Sequence, residues 1–63
     1  MNDKLMTARR AAKLNRDELG KAAGISGRTI ERYEQGRSDL ADASYKTVVL
    51  IAKKLDVRPE DIV

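Results

Sequence analysis

Apolar residues recur at helical spacing along most of the chain and predict a series of short helices. No stretch alternates apolar and polar positions with β-branched enrichment, so no strand is predicted and the expected fold class is all-α. This periodicity indicates four helices, followed by a short fifth one. The fifth is predicted to begin at Arg58-Pro59, because proline is tolerated at the first helical position. The four longer helices are predicted at Asp3–Lys13, Arg16–Ala23, Gly27–Gln35 and Tyr45–Leu55.

Short polar residues and glycines mark the ends of these helices. Residues that suit N-caps precede the first four of them: Asn2, Asn15, Ser26 and Ser44. Glu18 stands three residues after Asn15, which is the reciprocal position of a capping box. Gly24 and Gly36 follow the second and third helices, where the chain is expected to turn into the left-handed conformation.

One face of each helix is predicted to form the core. The inward positions read from the periodicity are Leu5, Ala8, Ala12, Leu19, Ala22, Ala23, Ile30, Tyr33, Tyr45, Val48, Val49, Ala52, Leu55 and Ile62. Ile51 lies at the margin of this face, and Leu50 lies opposite it, so Leu50 is expected to be exposed. Residues 37–43 are interpreted as a polar loop.

Two charged residues interrupt the apolar faces. Arg9 shares a face with Leu5, and Glu34 shares one with Ile30, in helices that must pack together. A half-buried charge without a partner costs several kcal/mol. Because the two charges are opposite, the sequence predicts a structural Arg9–Glu34 ion pair rather than a catalytic pair.

The second and third helices are joined by a very short connection that contains glycine. Such a connection forces the two helices to cross steeply, as in a helix-turn-helix. Gly20 provides a small residue where the third helix approaches the backbone of the second. An ordinary helical hairpin would show some of these features, but the turn, the cap and the apolar pattern together favour the helix-turn-helix.

Composition narrows the chemistry that the chain can perform. Its 63 residues include no Cys and no His, which excludes disulfides, thiolate or imidazole metal ligands and His-based catalysis. Neither a phosphate-binding glycine loop nor an apolar run of membrane-spanning length is present. We therefore expect no catalytic residues, no metal, no cofactor, no small-molecule substrate and no membrane insertion.

The net charge of +3 is unevenly distributed. Residues 1–37 carry nine Lys or Arg and five Asp or Glu, whereas residues 38–63 carry four and five. A basic N-terminal part indicates a polyanionic partner, either nucleic acid or an anionic membrane surface. Arg28 and Arg32 are four residues apart on the side of the third helix away from Ile30, and arginine matches the major-groove edge of guanine.

The chain resembles the phage-repressor and Cro-like helix-turn-helix family, also called the xenobiotic-response-element (XRE) family, from about Lys4 to Val63. The segments that carry this resemblance are Leu14–Leu19, Gly24–Ser26, Thr29-Ile30, Tyr33–Arg37 and Val48–Val57. The segment Tyr33–Arg37 is similar to the family's aromatic-Glu-Asn-Gly-basic signature. The resemblance implies a compact five-helix domain of the lambda-repressor-like type spanning residues 1–63, with the third helix in the major groove of DNA.

The resemblance also implies roles for individual residues. Those that match base-reading positions or lie beside them are Gly27, Arg28, Thr29, Glu31 and Arg32. Those that match phosphate-contacting positions or flank them are Asn15, Arg16, Ser26, Gln35, Arg37 and Ser38. The family's ion pair between the first and third helices falls on Arg9 and Glu34. Position 16 is Arg where the family usually has Gln, position 20 is Gly where Ala is usual, and position 27 carries no side chain.

The expected function is sequence-specific binding of a double-stranded DNA operator by a cytoplasmic, nucleoid-associated regulator of the repressor type. A homodimer on DNA is expected, because one recognition helix reads only a few base pairs. The candidate self-contact residues are Leu50, Val57, Pro59 and Ile62. The alternative is a helix-turn-helix module that binds another protein, for example as an antitoxin or a partner of a regulator. Steep salt dependence of duplex binding would distinguish the first from the second.

Overall fold

The computed structural model describes residues 2–63 and contains four α-helices and two 3₁₀ turns. The helices are α1 (Asp3–Ala11), α2 (Arg16–Ala22), α3 (Gly27–Glu34) and α4 (Tyr45–Leu55). The 3₁₀ turns are Leu40–Asp42 and Pro59–Asp61, and no strand occurs within residues 2–63. The all-α prediction is confirmed, and within residues 2–63 no helix is long and apolar enough to cross a membrane.

The expectation of five helices is wrong, because the last element is a 3₁₀ turn. Asp61 and Ile62 donate their backbone N–H groups to the carbonyls of Arg58 and Pro59, at 2.9 and 3.2 Å. These bonds join residues three apart, which is the 3₁₀ pattern and usually closes only short pieces. The turn nevertheless directs Ile62 inwards, as the sequence predicts.

The first three helices also end slightly earlier than predicted. In α1 the regular helix stops at Ala11, and Lys13 adopts the left-handed conformation with φ 57°. This conformation lets the N–H of Leu14 reach the carbonyl of Arg9 at 3.2 Å, so the chain leaves the helix with its backbone satisfied. Gly24 (φ 71°) and Gly36 (φ 76°) are left-handed after α2 and α3, as expected.

The core is formed by side chains from the four helices and the first 3₁₀ turn, together with Ile62, which directly follows the second turn. Its buried apolar members are Leu5, Leu19, Ile30, Leu40, Val48, Ile51, Ala52, Leu55 and Ile62. Leu40 lies in the segment interpreted as a polar loop; the Asp39 side chain accepts from Ala41 N at 3.0 Å and caps the 3₁₀ turn that points Leu40 inwards. Ile51 is fully buried rather than marginal, and Leu50 is half-buried rather than exposed.

Two residues predicted to face inwards are exposed. Tyr45 is 79% exposed, because it is the first residue of α4 and helical side chains lean towards the N-terminus. Its ring therefore extends past the end of the helix instead of covering the core. Ala12 is exposed because α1 has already ended at Ala11.

Two close contacts fix how the helices are arranged. A Cβ added to Gly20 would lie 2.6 Å from the carbonyl oxygen of Ile25, so α2 meets the start of α3 backbone to backbone. This confirms the role predicted for Gly20. Asn2 donates its backbone N–H to the Glu34 carbonyl at 3.0 Å and its side-chain amide to the Ile62 carbonyl at 2.7 Å. The start of α1 is thereby joined to the end of α3 and to the last turn.

Candidate nucleic-acid interface

The turn between α2 and α3 positions the candidate recognition helix. Ile25 donates its N–H to the Gly20 carbonyl at 2.9 Å, which folds the connection back onto α2. Ser26 then caps α3 by accepting from Thr29 N at 3.1 Å, and the Ser26 and Thr29 hydroxyls lie 3.0 Å apart. Only residues 23–26 separate the two helices, so the structure contains the helix-turn-helix that the sequence predicts.

Helix α3 has one buried side and one exposed side. Ile30 and Glu34 are both 0% exposed, whereas Arg28 and Arg32 are exposed. Within residues 2–63, neither of these two guanidinium groups forms an ion pair. The first turn of α3 also holds no acidic residue. The exposed side of α3 therefore presents two positive groups one helical turn apart, without a carboxylate bound to either.

The buried side of α3 carries the predicted Arg9–Glu34 ion pair. Arg9 donates Nε to Glu34 Oε2 at 2.6 Å and a second guanidinium nitrogen, Nη2, to Glu34 Oε1 at 3.2 Å. Its remaining nitrogen, Nη1, donates to the Leu14 carbonyl at 3.0 Å. The pair joins α1 to α3 and also holds the turn that leads into α2.

A second arginine, Arg16, for which the family resemblance implies a phosphate contact, joins this network. Arg16 donates Nε to Glu34 Oε1 at 3.0 Å and Nη1 to Glu31 Oε2 at 3.2 Å. The packing of α2 on α3 brings the first residue of α2 beside the second half of α3. Glu31 and Glu34 are three residues apart, so they lie on the same side of α3 and both face Arg16. This spacing does not by itself predict the contact, because the contact depends on how the two helices cross.

The charge on Glu34 is stabilised by these two arginines. Burial on its own raises the pKa of a carboxyl, but hydrogen bonds and positive charge from Arg9 and then Arg16 outweigh it. The pKa of Glu34 is therefore lowered from its ordinary value. The network contains two positive and two negative groups, so its formal charges cancel.

Gly27, a candidate for base reading, lies where α3 approaches α2, and its role in base reading stays a prediction. It is buried against α2, and a Cβ added there would lie 2.9 Å from the backbone nitrogen of Asp17 and closer still to the Asp17 carboxylate. The glycine therefore serves the packing of two helices. Three base-reading candidates have a side chain at the surface of α3 and lie outside the Arg16 network: Arg28, Thr29 and Arg32.

Apart from Ser26, which lies in the turn, the candidate phosphate contacts fall at the two ends of the helix-turn-helix. Asn15 is exposed and caps α2, accepting from Glu18 N at 2.8 Å while Glu18 accepts from Asn15 N at 2.9 Å. Near the other end of α3, Gln35 and Arg37 are exposed and Ser38 is half-buried. A shallow groove between the first turns of α2 and α3 is lined by Arg9, Asn15, Arg16, Asp17, Gly27, Arg28 and Glu31.

The candidate self-contact residues are less exposed than expected. Ile62 is fully buried, so its side chain belongs to the core and is not available to a second subunit, while Leu50, Val57 and Pro59 are half-buried. The large apolar side chains at the surface are instead Tyr45 and Val63, which is 45% exposed. They line a groove together with Ala41, Ala43, Val48, Pro59 and Glu60.

Within residues 2–63, no group of three or more His, Cys, Asp or Glu side chains is arranged to hold a metal ion.

Comparison with known proteins identifies the family. No curated protein and no solved structure matches the chain. A family model described as helix-turn-helix matches residues 5–62, which is nearly the whole chain and includes every element of the fold. The chain therefore belongs to the Cro/C1-type helix-turn-helix family of DNA-binding regulators.

Proposed function

We propose that the chain is a transcription regulator that binds double-stranded DNA at specific sequences, with α3 in the major groove. The observation that carries this proposal is the exposed side of α3, where Arg28 and Arg32 have no ionic partner within residues 2–63. Arginine offers two donors that match O6 and N7 of guanine. A helix with one side held in the core and two unpaired arginines on the other is suited to reading base edges.

Within this proposal the contacts divide into two classes. Arg28 and Arg32 read bases, with Thr29 beside them. Phosphates on either side are contacted by polar or basic residues that lie just before α2, just before α3 and after the end of α3: Asn15, Ser26, Gln35, Arg37 and Ser38. Contacts of the second class fix the orientation of the protein and carry no sequence information.

Two copies are expected to bind together, because one α3 reads too few base pairs to define a unique site. A pair related by a two-fold axis would read half-sites about one helical turn apart. Val57 and Pro59 remain candidates for the contact between subunits, with Leu50 as a further one. The exposed Tyr45 lies beside Pro59 in the same groove and extends this surface. Such a regulator would act in the cytoplasm as a repressor.

The decisive experiment is selection of bound sites from a random duplex library, followed by salt titration on the selected site and on mixed-sequence duplex. We expect an enriched sequence with inverted symmetry and binding that weakens steeply with salt. Absence of enrichment, together with weak binding that salt does not change, would refute the proposal. An enriched sequence without symmetry would refute only the dimer.

A protein-binding role is the second candidate. It is favoured by Tyr45, a residue that is 79% exposed and lines an apolar groove. The same salt titration separates the two functions, because only DNA binding depends on releasing counterions from phosphates.

A further inference from the structure

Arg16 lies between two carboxylates that differ in how firmly they are held. Glu34 is 0% exposed and accepts from both Arg9 and Arg16, so it is a fixed anchor. The Glu31 side chain is 40% exposed, and within residues 2–63 its ionic partner is Arg16. One edge of the Arg16 guanidinium is therefore bound to the core, and the other is bound to a carboxylate at the surface.

The surroundings of Arg16 are more acidic than its assignment to a phosphate suggests. The first turn of α2 contains Asp17 and Glu18, and Glu31 faces the same place from α3. Two carboxylates on the network already offset the charges of Arg9 and Arg16. A phosphate at this end of α2 would meet an arginine whose charge is neutralised, beside further negative groups.

A DNA phosphate that approaches Arg16 either replaces Glu31 on Nη1 or binds Nη2, which has no partner within residues 2–63, beside the Glu31 carboxylate. Nε of Arg16 is directed to the buried Glu34, so the terminal nitrogens are the ones available to a new partner. Nη1 is bound to Glu31 Oε2 at 3.2 Å. Either this bond is exchanged for a phosphate contact, or Glu31 stays and repels the phosphate. Both outcomes weaken binding, and neither depends on base sequence.

We propose that Glu31 is an intramolecular competitor of DNA phosphate for Arg16, which lowers affinity for every duplex and leaves the choice of sequence to Arg28 and Arg32. This inference rests on the DNA-binding function proposed above. It moves Glu31 from the base-reading candidates to a residue that acts through another side chain. It also means that the contact of Arg16 with DNA is limited by a carboxylate of the same chain.

The test is Glu31→Gln, measured on the selected site and on mixed-sequence duplex over a series of salt concentrations. Glutamine keeps the size of the side chain and removes the charge that competes with phosphate. We expect affinity to rise about two- to fivefold on both duplexes at low salt, which is the range of an exposed ion pair. The salt slope should become steeper by about one, because one more phosphate is neutralised.

Two further variants separate this mechanism from a general effect of charge. Glu18→Gln removes a carboxylate from the same end of α2, and glutamine can still serve the capping box, so its gain in affinity should be smaller. In an Arg16→Gln background the gain from Glu31→Gln should disappear. Thermal melts check that each variant folds. If the Arg16→Gln protein does not fold, an equal gain from Glu31→Gln on the two duplexes still tests the proposal.

Several results would overturn the proposal. A loss confined to the selected site, with a changed preference at one base pair, would make Glu31 a base contact. Equal gains from Glu31→Gln and Glu18→Gln, or a gain that persists without Arg16, would make the effect one of charge alone. If the parent protein bound duplex and Glu31→Gln left its affinity unchanged, the inference would fail alone; a parent that bound no duplex would refute the proposed function as well.

Discussion

Arg16 and Arg28 occupy equivalent places, in the first turns of neighbouring helices, yet their surroundings differ. Arg16 donates to two carboxylates and begins a helix whose first turn contains Asp17 and Glu18. Arg28 is exposed, has no ionic partner within residues 2–63, and belongs to a first turn without acidic residues. The same side chain is thus part of the scaffold in one helix and available to a partner in the next. Whether an arginine is free to bind a partner is decided by the charge on the helix that faces it, and not by its position within its own helix.

The division follows from how the two helices cross. The start of α2 lies against α3, and there the Arg16 side chain meets Glu31 and Glu34. The exposed side of α3 lies away from the core, and Arg28 lines the groove beside α2 without forming an ion pair within residues 2–63. A residue on that side keeps its charge for whatever approaches from solvent.

The largest effect on stability should come from removing the Glu34 carboxylate, to which both Arg9 and Arg16 donate. Glu34→Ala leaves Arg9 buried without its carboxylate, and breaking a buried pair in this way costs about 3–5 kcal/mol of unfolding free energy. Chemical denaturation measures it. Arg28→Ala serves as the matched control and should unfold like the parent, because Arg28 is exposed and unpaired. A Glu34→Ala protein as stable as the parent would show that the network does not hold α1, α2 and α3 together.

A smaller loss should follow from separating α2 and α3. In Gly20→Ala the new Cβ would lie within 3.0 Å of the Ile25 and Ser26 carbonyl oxygens, which belong to backbone and cannot move aside cheaply. We expect a cost of about 1–3 kcal/mol, larger than the helix propensity gained from alanine. Lys21→Ala on the exposed side of the same helix is the control. Stabilisation by Gly20→Ala would mean that the helices have room to separate.

The third prediction compares the two arginines on DNA. Arg28→Ala should lose about 1–3 kcal/mol of binding free energy on the selected site, less on mixed duplex, and should relax the preference at one base pair. Arg16→Gln should change both affinities by less than about threefold, since its charge is already offset by carboxylates. Both are measured by titration in the same buffer. The comparison between the two helix starts would be broken if Arg16→Gln had the larger effect or changed the preferred sequence.

The smallest effect is a dependence of stability on pH. It arises from Glu34, which binds Arg16, and has no counterpart at Arg28. Because the pKa of Glu34 is lower in the folded chain than in the unfolded chain, its contribution to stability is complete above about pH 4.3. That contribution is lost as the pH falls through the folded value. Glu34→Gln should remove this part of the acid dependence, which denaturation at several pH values would detect. Identical pH profiles for the variant and the parent would contradict it.

The parts of the fold that are local in sequence could be predicted, and those set by packing could not. N-caps, the capping box and the left-handed glycines depend on neighbouring residues, and Asn15, Glu18 and Gly24 behave as expected. The burial of Leu40 could not be predicted, because one large apolar residue in a segment of small and polar residues carries no periodicity. Tyr45 was placed wrongly because the helical repeat does not reveal that a side chain at the first position extends past the end of its helix.

The candidate site divides in the same way. The Arg9–Glu34 pair could be predicted, because two opposite charges interrupted apolar faces of helices that had to meet. The Arg16–Glu31 contact could not, since it depends on the crossing of α2 and α3 and involves side chains on no apolar face. Gly27 resembled a base-facing position that lacked a side chain, whereas the contact with Asp17 shows that the backbone approach itself requires glycine there.

The hydrogen bond from Asn2 to the Ile62 carbonyl has a consequence for the topology of the chain. It joins residues 60 positions apart at 2.7 Å, so the two ends of the described chain lie side by side. A short peptide could link them, and the ring could then be opened at the exposed Gly36 and Arg37 to give a permuted chain whose first α-helix is α4. In that order the contact between Asn2 and Ile62 becomes a local one, while the hydrogen bonds from Arg37 and Ser38 to the Arg32 carbonyl become the distant ones. The order of the helices along the chain is therefore separable from their arrangement in space.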